Sequence, residues 1–263
     1  MTVRAVLTYH SIDESGSPVS VAPAAFTRHL AWLTSGRVVV SRLDTLAAGA
    51  ANDDDPRPRV AITFDDGFAN FASWAWPRLR DAGLPATVFL VSGHMGGTNV
   101  WGGRPVRGIP ALPLMTWSQA AACAAEGAEI GAHSRTHPHL PELAVATARE
   151  EMDGGRQDLC SRLGVPVTSF AYPYGAVSPG VAAAAAAMFE IACTTEHREL
   201  AAGESRHRLP RLDMFYFQAP DALRDWGSAA FRRRVTARRT LRALRHGLTA
   251  WSVRGGRRTA KGL

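Results

Sequence analysis

The chain of 263 residues is 46% hydrophobic and 20% charged, values that exclude wholesale disorder and suit one main domain of α/β barrel size around a single core. Its formal charge of +7 is concentrated at one end: from Gly227 onward there are ten Arg, one Lys and no Asp or Glu, and taking those eleven from the 30 basic residues leaves 19 against 23 acidic ones. The basicity therefore belongs to an appendage and implies no nucleic-acid binding by the body, while three scattered cysteines, Cys123, Cys160 and Cys193, exclude a disulfide framework or a zinc ribbon.

Residues 3–9, VRAVLTY, predict a first strand that ends in Tyr9 and leads into His10. No long apolar region or cleavage site precedes it, so a cytoplasmic protein is expected. RVVVS at 37–41 predicts a second strand. A polar, proline-containing connection at 52–59 leads into the third, RVAITF at 59–64. The amphipathic stretch 68–83 predicts a helix stopped by Gly83, ahead of a strand at 86–92. Residues 92–114 are glycine-rich and too long for a plain connector; loops of this kind are lids or binding loops. The pattern then predicts a helix at 116–127, a strand at 128–134, a helix at 141–164 stopped by Gly164, a strand at 167–173, a helix at 178–189 and a strand at 190–195. Alternating strands and helices, with near-continuous apolar strands, mean a parallel sheet covered by helices, an α/β fold.

The alanine-rich run at 181–189 comes nearest to a membrane span but falls short of the roughly 18 apolar residues one needs. Past a barrel domain taken as 1–226, the segment 227–263 repeats Phe231, Val235, Leu241, Leu244, Leu248 and Trp251 near the helical period among many arginines. A basic amphipathic helical tail of this kind reads as an anchor on an anionic membrane surface, peripheral on the inner face, or as a helix packed on the barrel with its arginines in water. Nucleic acid ranks last as a partner, since no docking motif accompanies the charge.

In sheets and barrels of this class, reactive groups gather at the C-terminal ends of the strands. There the sequence places His10, then Asp65 and Asp66 (TFDDG), His133 and His137 (GAHSRTH), and Tyr172 and Tyr174 (AYPYG). Taken alone, an Asp-Gly pair marks a turn, and histidines four apart can be a cap or a surface residue. Taken together, two imidazoles and a carboxylate make a ligand set for zinc or a similar divalent ion, with positions left open. Adjacent carboxylates also tolerate each other beside a cation, which offsets their repulsion. Neighbouring residues point different ways, so one can ligate while the other faces a reacting water as base. Trp74 and Trp76 are assigned to core or interface packing; Trp101 and Trp117 flank the long loop, where they suit sugar stacking with packing as the default, and His94 in the loop and His139 after the histidine motif read as bystanders before substrate contacts.

TFDDG, HSRTH and FAYPYG, in this order and at these strand ends, resemble the signature motifs of the polysaccharide deacetylase family, also called the NodB-homology domain or carbohydrate esterase family 4, over residues 3 to about 215. The resemblance implies a distorted, incomplete (β/α)7-type barrel. It also implies metal-dependent removal of an N- or O-acetyl group from a sugar, here expected as an N-acetyl or other N-acyl group on an amino sugar in a polysaccharide, an oligosaccharide or a lipid-linked glycan. Carried onto this chain, it makes Asp65 the general base and Asp66, His133 and His137 the ligands of a divalent metal, Zn2+ first, with Co2+, Ni2+ or Fe2+ as variants. The Tyr174 backbone N–H becomes an oxyanion-hole donor.

Two features depart from the commoner motif pattern. Ala171 stands where an arginine would orient the catalytic Asp, and the usual Leu-x-His motif is missing. Both resemble the branch of poly-N-acetylglucosamine deacetylases, which implies that Tyr9-His10 takes over the acid role, with His10 as proton donor. Arg211 is the candidate replacement for the missing arginine. Tyr172, Arg211, His94 and Trp101 are the candidate substrate contacts. Two other readings remain: a non-heme iron enzyme, which shares the two-histidine, one-carboxylate set, and a non-catalytic glycan-binding relative, suggested by the missing arginine.

Overall fold

The computed structural model describes residues 3–49 and 55–256, the side chains as far as 242. Its strands are β1 (Arg4–Tyr9), β2 (Ser11–Ile12), β3 (Ser20–Val21), β4 (Val39–Val40), β5 (Arg59–Phe64), β6 (Ala86–Leu90), β7 (Glu129–Ala132), β8 (Ser169–Ala171), β9 (Ile191–Cys193) and β10 (Arg211–Asp213). Seven of these run side by side in the order β10-β1-β5-β6-β7-β8-β9, every pairing parallel. The ends of the path nearly meet: Cys193 bridges Leu209 just ahead of β10, and the Thr194 N–H donates to the Leu209 carbonyl at 2.8 Å. This is the distorted (β/α)7 barrel that the sequence motifs imply. β4 pairs with β5 only at Arg59 and Val60, and β6 takes over that edge from Ile62.

The connecting helices are α1 (Pro23–Leu33), α2 (Leu43–Ala48), α3 (Trp76–Asp81), α4 (Trp117–Ala125), α5 (Val145–Leu163) and α6 (Pro179–Ala186). Five elements go beyond the sequence expectation: the short strands β2 and β3, the helices α1 and α2, and β10. In α1 a proline opens the first turn, and Ala25, Phe26, His29, Trp32 and Leu33 bury one helical face. The helix expected over 68–83 comes in two pieces, a wide π turn at Phe71–Ala75 and then α3. Pro77 has no N–H to return to the carbonyl four residues back, so the regular ladder is broken at this point.

Strand alternation sorts the side chains. Val6, Ala61, Phe89, Ala171, Cys193 and Leu209 form one core cluster with Leu43 and Leu46 of α2. On the other side of β1 and β5, Tyr9 stacks on Phe64 with centroids 5.0 Å apart, and Phe26 of α1 and Phe71 pack edge-on at 5.3 and 4.9 Å. Such aromatic pairs add about 0.5–1.5 kcal/mol beyond the area they bury.

One carboxylate sits at the opposite end of the barrel from the strand tips. Glu129, the first residue of β7, accepts hydrogen bonds from Thr87 (3.0 Å) and Ser169 (2.9 Å). Burial pushes its pKa above the ordinary carboxylate value, against the help of those hydroxyls and Arg42. A raised folded-state pKa means that its contribution to stability is full below the unfolded value of about 4.3 and is lost as pH rises through the folded one. The Tm of Glu129→Gln, which carries no titrating group, is therefore expected to gain on wild type between pH 4 and 7. Melting curves that stay parallel over that range would show that Glu129 titrates normally.

Contacts divide the chain into two compact units, Met1–Arg224 and Asp225–Leu263. The second contains α7 (Ala229–Gly256). Ser228 caps that helix by accepting from the Phe231 N–H at 3.1 Å, and Arg234 reaches back to pair with Asp225 at 2.5 Å. Of the apolar positions noted in the tail, Leu241 is exposed; Leu244, Leu248 and Trp251 lie outside the described side chains. Among the described residues no helix is long and apolar enough to cross a membrane.

Candidate active site

The strand ends bring the expected carboxylates and histidines together. β5 continues past Phe64, the Asp65 N–H donating to the Tyr9 carbonyl at 2.9 Å, so Asp65 keeps the alternation and faces the barrel interior with Ala61. Asp66 breaks the strand with a φ of 69°. Its Oδ1 lies 3.3 Å from His133 Nε2 and 3.4 Å from His137 Nε2. The three ligand atoms fall within 4.8 Å of one another and all three residues are buried.

Among the described residues, those other than glycine with positive φ are Asp66, Ser134, His137 and Tyr174, at 69°, 63°, 61° and 59°. All four belong to this centre. Left-handed backbone costs such residues about 1–2 kcal/mol each, and it persists where the surroundings fix a side chain for use. Here the surroundings are identifiable. Glu151 of α5 accepts from the Thr136 N–H and hydroxyl, both at 2.9 Å, and the Ser134 hydroxyl accepts from the His137 N–H at 3.0 Å. Gly155 lets the helix approach this loop: a Cβ there would stand 2.7 Å from the Ser134 carbonyl carbon. The motifs carry no signal for Glu151, and the Gly154-Gly155 pair inside a helical pattern is the single hint of close packing.

The donor set fits a divalent ion. Asp66 Oδ1 is buried and receives no well-formed hydrogen bond, an orphan acceptor of the kind a cation would satisfy. His133 Nδ1 donates to the Ala171 carbonyl at 2.7 Å, which turns the Nε2 lone pair inward. Burial presses His137 toward its neutral form, the form that ligates, whereas Asp66 and Asp65 raise the His133 pKa against the effect of burial. Burial also opposes ionisation of Asp66, yet the two imidazoles hold its carboxyl well below the usual range.

Asp65 does not join the ligand set. Arg211, on β10, donates to both of its oxygens at 2.6 Å, and the same guanidinium reaches the Thr194 carbonyl at 2.9 Å and the Thr63 hydroxyl at 3.3 Å. Burial works against the charge on Asp65, and Arg211, His133 and His10 more than offset it, so the carboxyl stays below its ordinary pKa. His10 Nε2 is 3.8 Å from Asp65 Oδ2 and is partly exposed.

A cleft of about 300 Å³ opens over these groups. His10, Asp65, Asp66, His133, His137, Tyr174 and Thr195 form its reactive wall. The opposing wall is largely apolar and comes from the 92–114 loop, with Val100, Trp101, Pro105, Val106, Ile109 and Pro110. Asn99 ties that loop together, donating to the Pro110 carbonyl at 3.1 Å and accepting from the Leu112 N–H at 2.8 Å. The long segment is thus an ordered loop that forms one side of the cleft.

Several expected residues lie elsewhere. Tyr172, expected to touch substrate, is fully buried and its hydroxyl donates to the His207 carbonyl at 2.9 Å; alternation turns it away from the barrel interior that Ala171 faces. Arg211 is also fully buried, with Asp65 as its ion-pair partner. Tyr9 points into the aromatic layer and meets His29 Nδ1 at 3.2 Å, leaving His10 alone at the site. His94 lines a neighbouring hollow of about 590 Å³ rather than the cleft, and that hollow shares Trp101, His137 and Tyr174 with it.

The sequence profile described as polysaccharide deacetylase matches residues 52–189, just over half of the chain. The chain belongs to the polysaccharide deacetylase family. The matched span of this deacetylase-family chain holds Asp65, Asp66, His133, His137 and Tyr174 but neither His10 nor Arg211, which stand on or beside the neighbouring strands β1 and β10. YxkH of Bacillus subtilis (strain 168), named for the same family, is 26% identical over 171 residues, or 65% of this chain and 56% of the relative. The chain thus spans little more than half of that relative's length. Among solved structures, the Streptococcus pyogenes deacetylase PplD in complex with acetate has a TM-score of 0.70 at 21% identity, covering 84% of this chain and 96% of that one. IcaB from Ammonifex degensii gives 0.68 at 23% identity, covering 81% and 91%. At these identities the likeness to solved structures is one of fold.

Proposed function

We propose that the chain is a metal-dependent hydrolase that removes the N-acetyl group, or a similarly small N-acyl group, from an amino sugar in a glycan. The observation that carries this reading is an arginine-clamped, ionised carboxylate standing beside a buried Asp-His-His set on one wall of a cleft. A divalent ion held by Asp66, His133 and His137, zinc first, would polarise the acyl carbonyl and acidify a water molecule.

Asp65 accepts the proton of the attacking water. Arg211 occupies two of the roughly four lone-pair directions of that carboxylate and leaves the rest to water, while its charge keeps the acceptor ionised. A carboxylate held below its usual pKa is a weak base, so the water has to be made acidic first. His10, 3.8 Å from Asp65, gives a proton to the departing amine. The Tyr174 N–H, in a turn held at positive φ, donates to the acyl oxygen as charge builds there. The apolar loop wall keeps bulk water away, which strengthens each of these interactions. The net change is one amide and one water converted to one carboxylate and one protonated amine.

A screen of N-acetylated amino-sugar oligomers, free and lipid-linked, tests the proposal. Acetate and free amine are expected in equal amounts, with no dioxygen consumed; N-formyl analogues establish the acyl preference. Turnover coupled to oxygen uptake would replace the hydrolytic reading with an oxygenase, and tight binding without release would favour a glycan-binding protein.

A further inference from the structure

The two histidines of the Asp-His-His set are held in different ways. His133 has a hydrogen-bonded support, the Ala171 carbonyl at 2.7 Å from its Nδ1. His137 has none: its Nδ1 is buried without a hydrogen-bond partner. Ligating imidazoles normally use that second nitrogen to fix ring orientation. At His137 the ring faces do the work. Trp101 stacks on it with centroids 4.4 Å apart and planes inclined by 24°, and Tyr174 meets it edge-on at 4.6 Å. The backbone at His137 is itself in the left-handed region, with a φ of 61°, so packing has to hold a conformation that the chain would not choose alone.

Trp101 comes from the 92–114 loop, near the end that Asn99 fixes. It is edge-on to His94 at 5.0 Å and lines both hollows. From this geometry we infer that Trp101 is a positioning residue for the metal centre: its indole replaces the missing hydrogen-bonded support of His137 and makes metal affinity depend on the substrate-binding loop. The inference rests on the metal reading proposed above. By linkage, a ligand that pins Trp101 in the stacked position tightens metal binding, and the metal tightens that ligand by the same factor.

The test is a titration of the metal-stripped full chain with Co2+, read by its visible absorption, for wild type, Trp101→Leu, Trp101→Phe and Arg104→Ala. Leu keeps a smaller apolar side chain without an aromatic face, and Phe, also smaller than Trp, restores the face, so the Leu-to-Phe difference reads the stacking rather than the lost volume. Arg104 is exposed on the same loop. Trp101→Leu is expected to bind Co2+ about 10–100-fold more weakly, the range typical for lost outer supports of metal ligands, with a changed absorption band. Trp101→Phe is expected to regain most of the affinity, and Arg104→Ala to match wild type. Wild-type affinity and spectrum in a folded Trp101→Leu would overturn the inference, as would an equal loss in Arg104→Ala. A wild-type chain that binds no Co2+ removes both this inference and the metal reading. Normal Co2+ binding with no amine release removes the deacylase reading alone.

Discussion

Asp65→Asn is expected to lower the rate of amine release by about 10²–10⁴-fold, the usual worth of a positioned proton acceptor. The loss should fall on kcat, because a proton acceptor outside the Asp66, His133 and His137 set acts in the chemical step. Co2+ affinity should stay within a few-fold of wild type, because Asp66, His133 and His137 remain. The variant also leaves Arg211, fully buried, without its anion. Breaking a buried ion pair from one side costs about 3–5 kcal/mol, so the rates have to be compared well below the lowered Tm. A loss under tenfold in properly folded, metal-loaded Asp65→Asn would mean that another group takes the proton.

Arg211→Met is expected to destabilise the fold by a similar margin, about 3–5 kcal/mol, and to abolish most of the activity. The reason differs from a lost contact. The guanidinium makes two hydrogen bonds of 2.6 Å to Asp65 and two more to Thr194 and Thr63, and without it a buried carboxylate has no strong cation. A double-mutant cycle separates the pair from its surroundings. Asp65→Asn with Arg211→Met should be more stable than the sum of the single losses predicts, by about 0.5–3 kcal/mol, since neither charge is then stranded. Additive losses measured by denaturant unfolding would show that the two side chains act independently. Arg211→Lys should recover part of the stability and less of the activity, because an ammonium keeps the charge but not the planar fork.

Much of the barrel was legible because its strands are short, apolar runs followed by chemistry. RVAITF ending in Asp65-Asp66 and EIGA leading to His133 satisfy both the core pattern and the position rule for reactive groups. β10 was not legible. It has three residues, and the first is an arginine whose charge argues against a barrel interior until its partner is known. Only the pairing of β10 with β1 reveals that Arg211 sits opposite Val6, one strand away from Asp65. Arg211 was nevertheless nameable from the sequence as a candidate partner for Asp65; the paired hydrogen bonds between them required coordinates.

Tyrosines mark the limit of motif reading in the same way. Tyr9 and Tyr172 each stand in a strand or at its end, and a one-residue alternation decides between core and cleft. Tyr9 goes to the aromatic layer with Phe64, and His10 goes to the site. Tyr172 is buried under His207, and Tyr174 returns to the rim through a turn at positive φ. The support for His137 could not be read at all, because the indole that stacks on it is 36 residues away in sequence and belongs to a loop with no periodic pattern.

The central claim is that one divalent ion at Asp66, His133 and His137 serves a water that Asp65 deprotonates. It is tested most directly by stripping the chain with a chelator and titrating Co2+ back while free amine is measured on an N-acetylated amino-sugar oligomer. Amine release is expected to vanish on stripping, to climb linearly and to level off at one ion per chain, with no recovery in Asp66→Ala. Full activity in the stripped protein, or recovery in Asp66→Ala that matches wild type, would contradict the account.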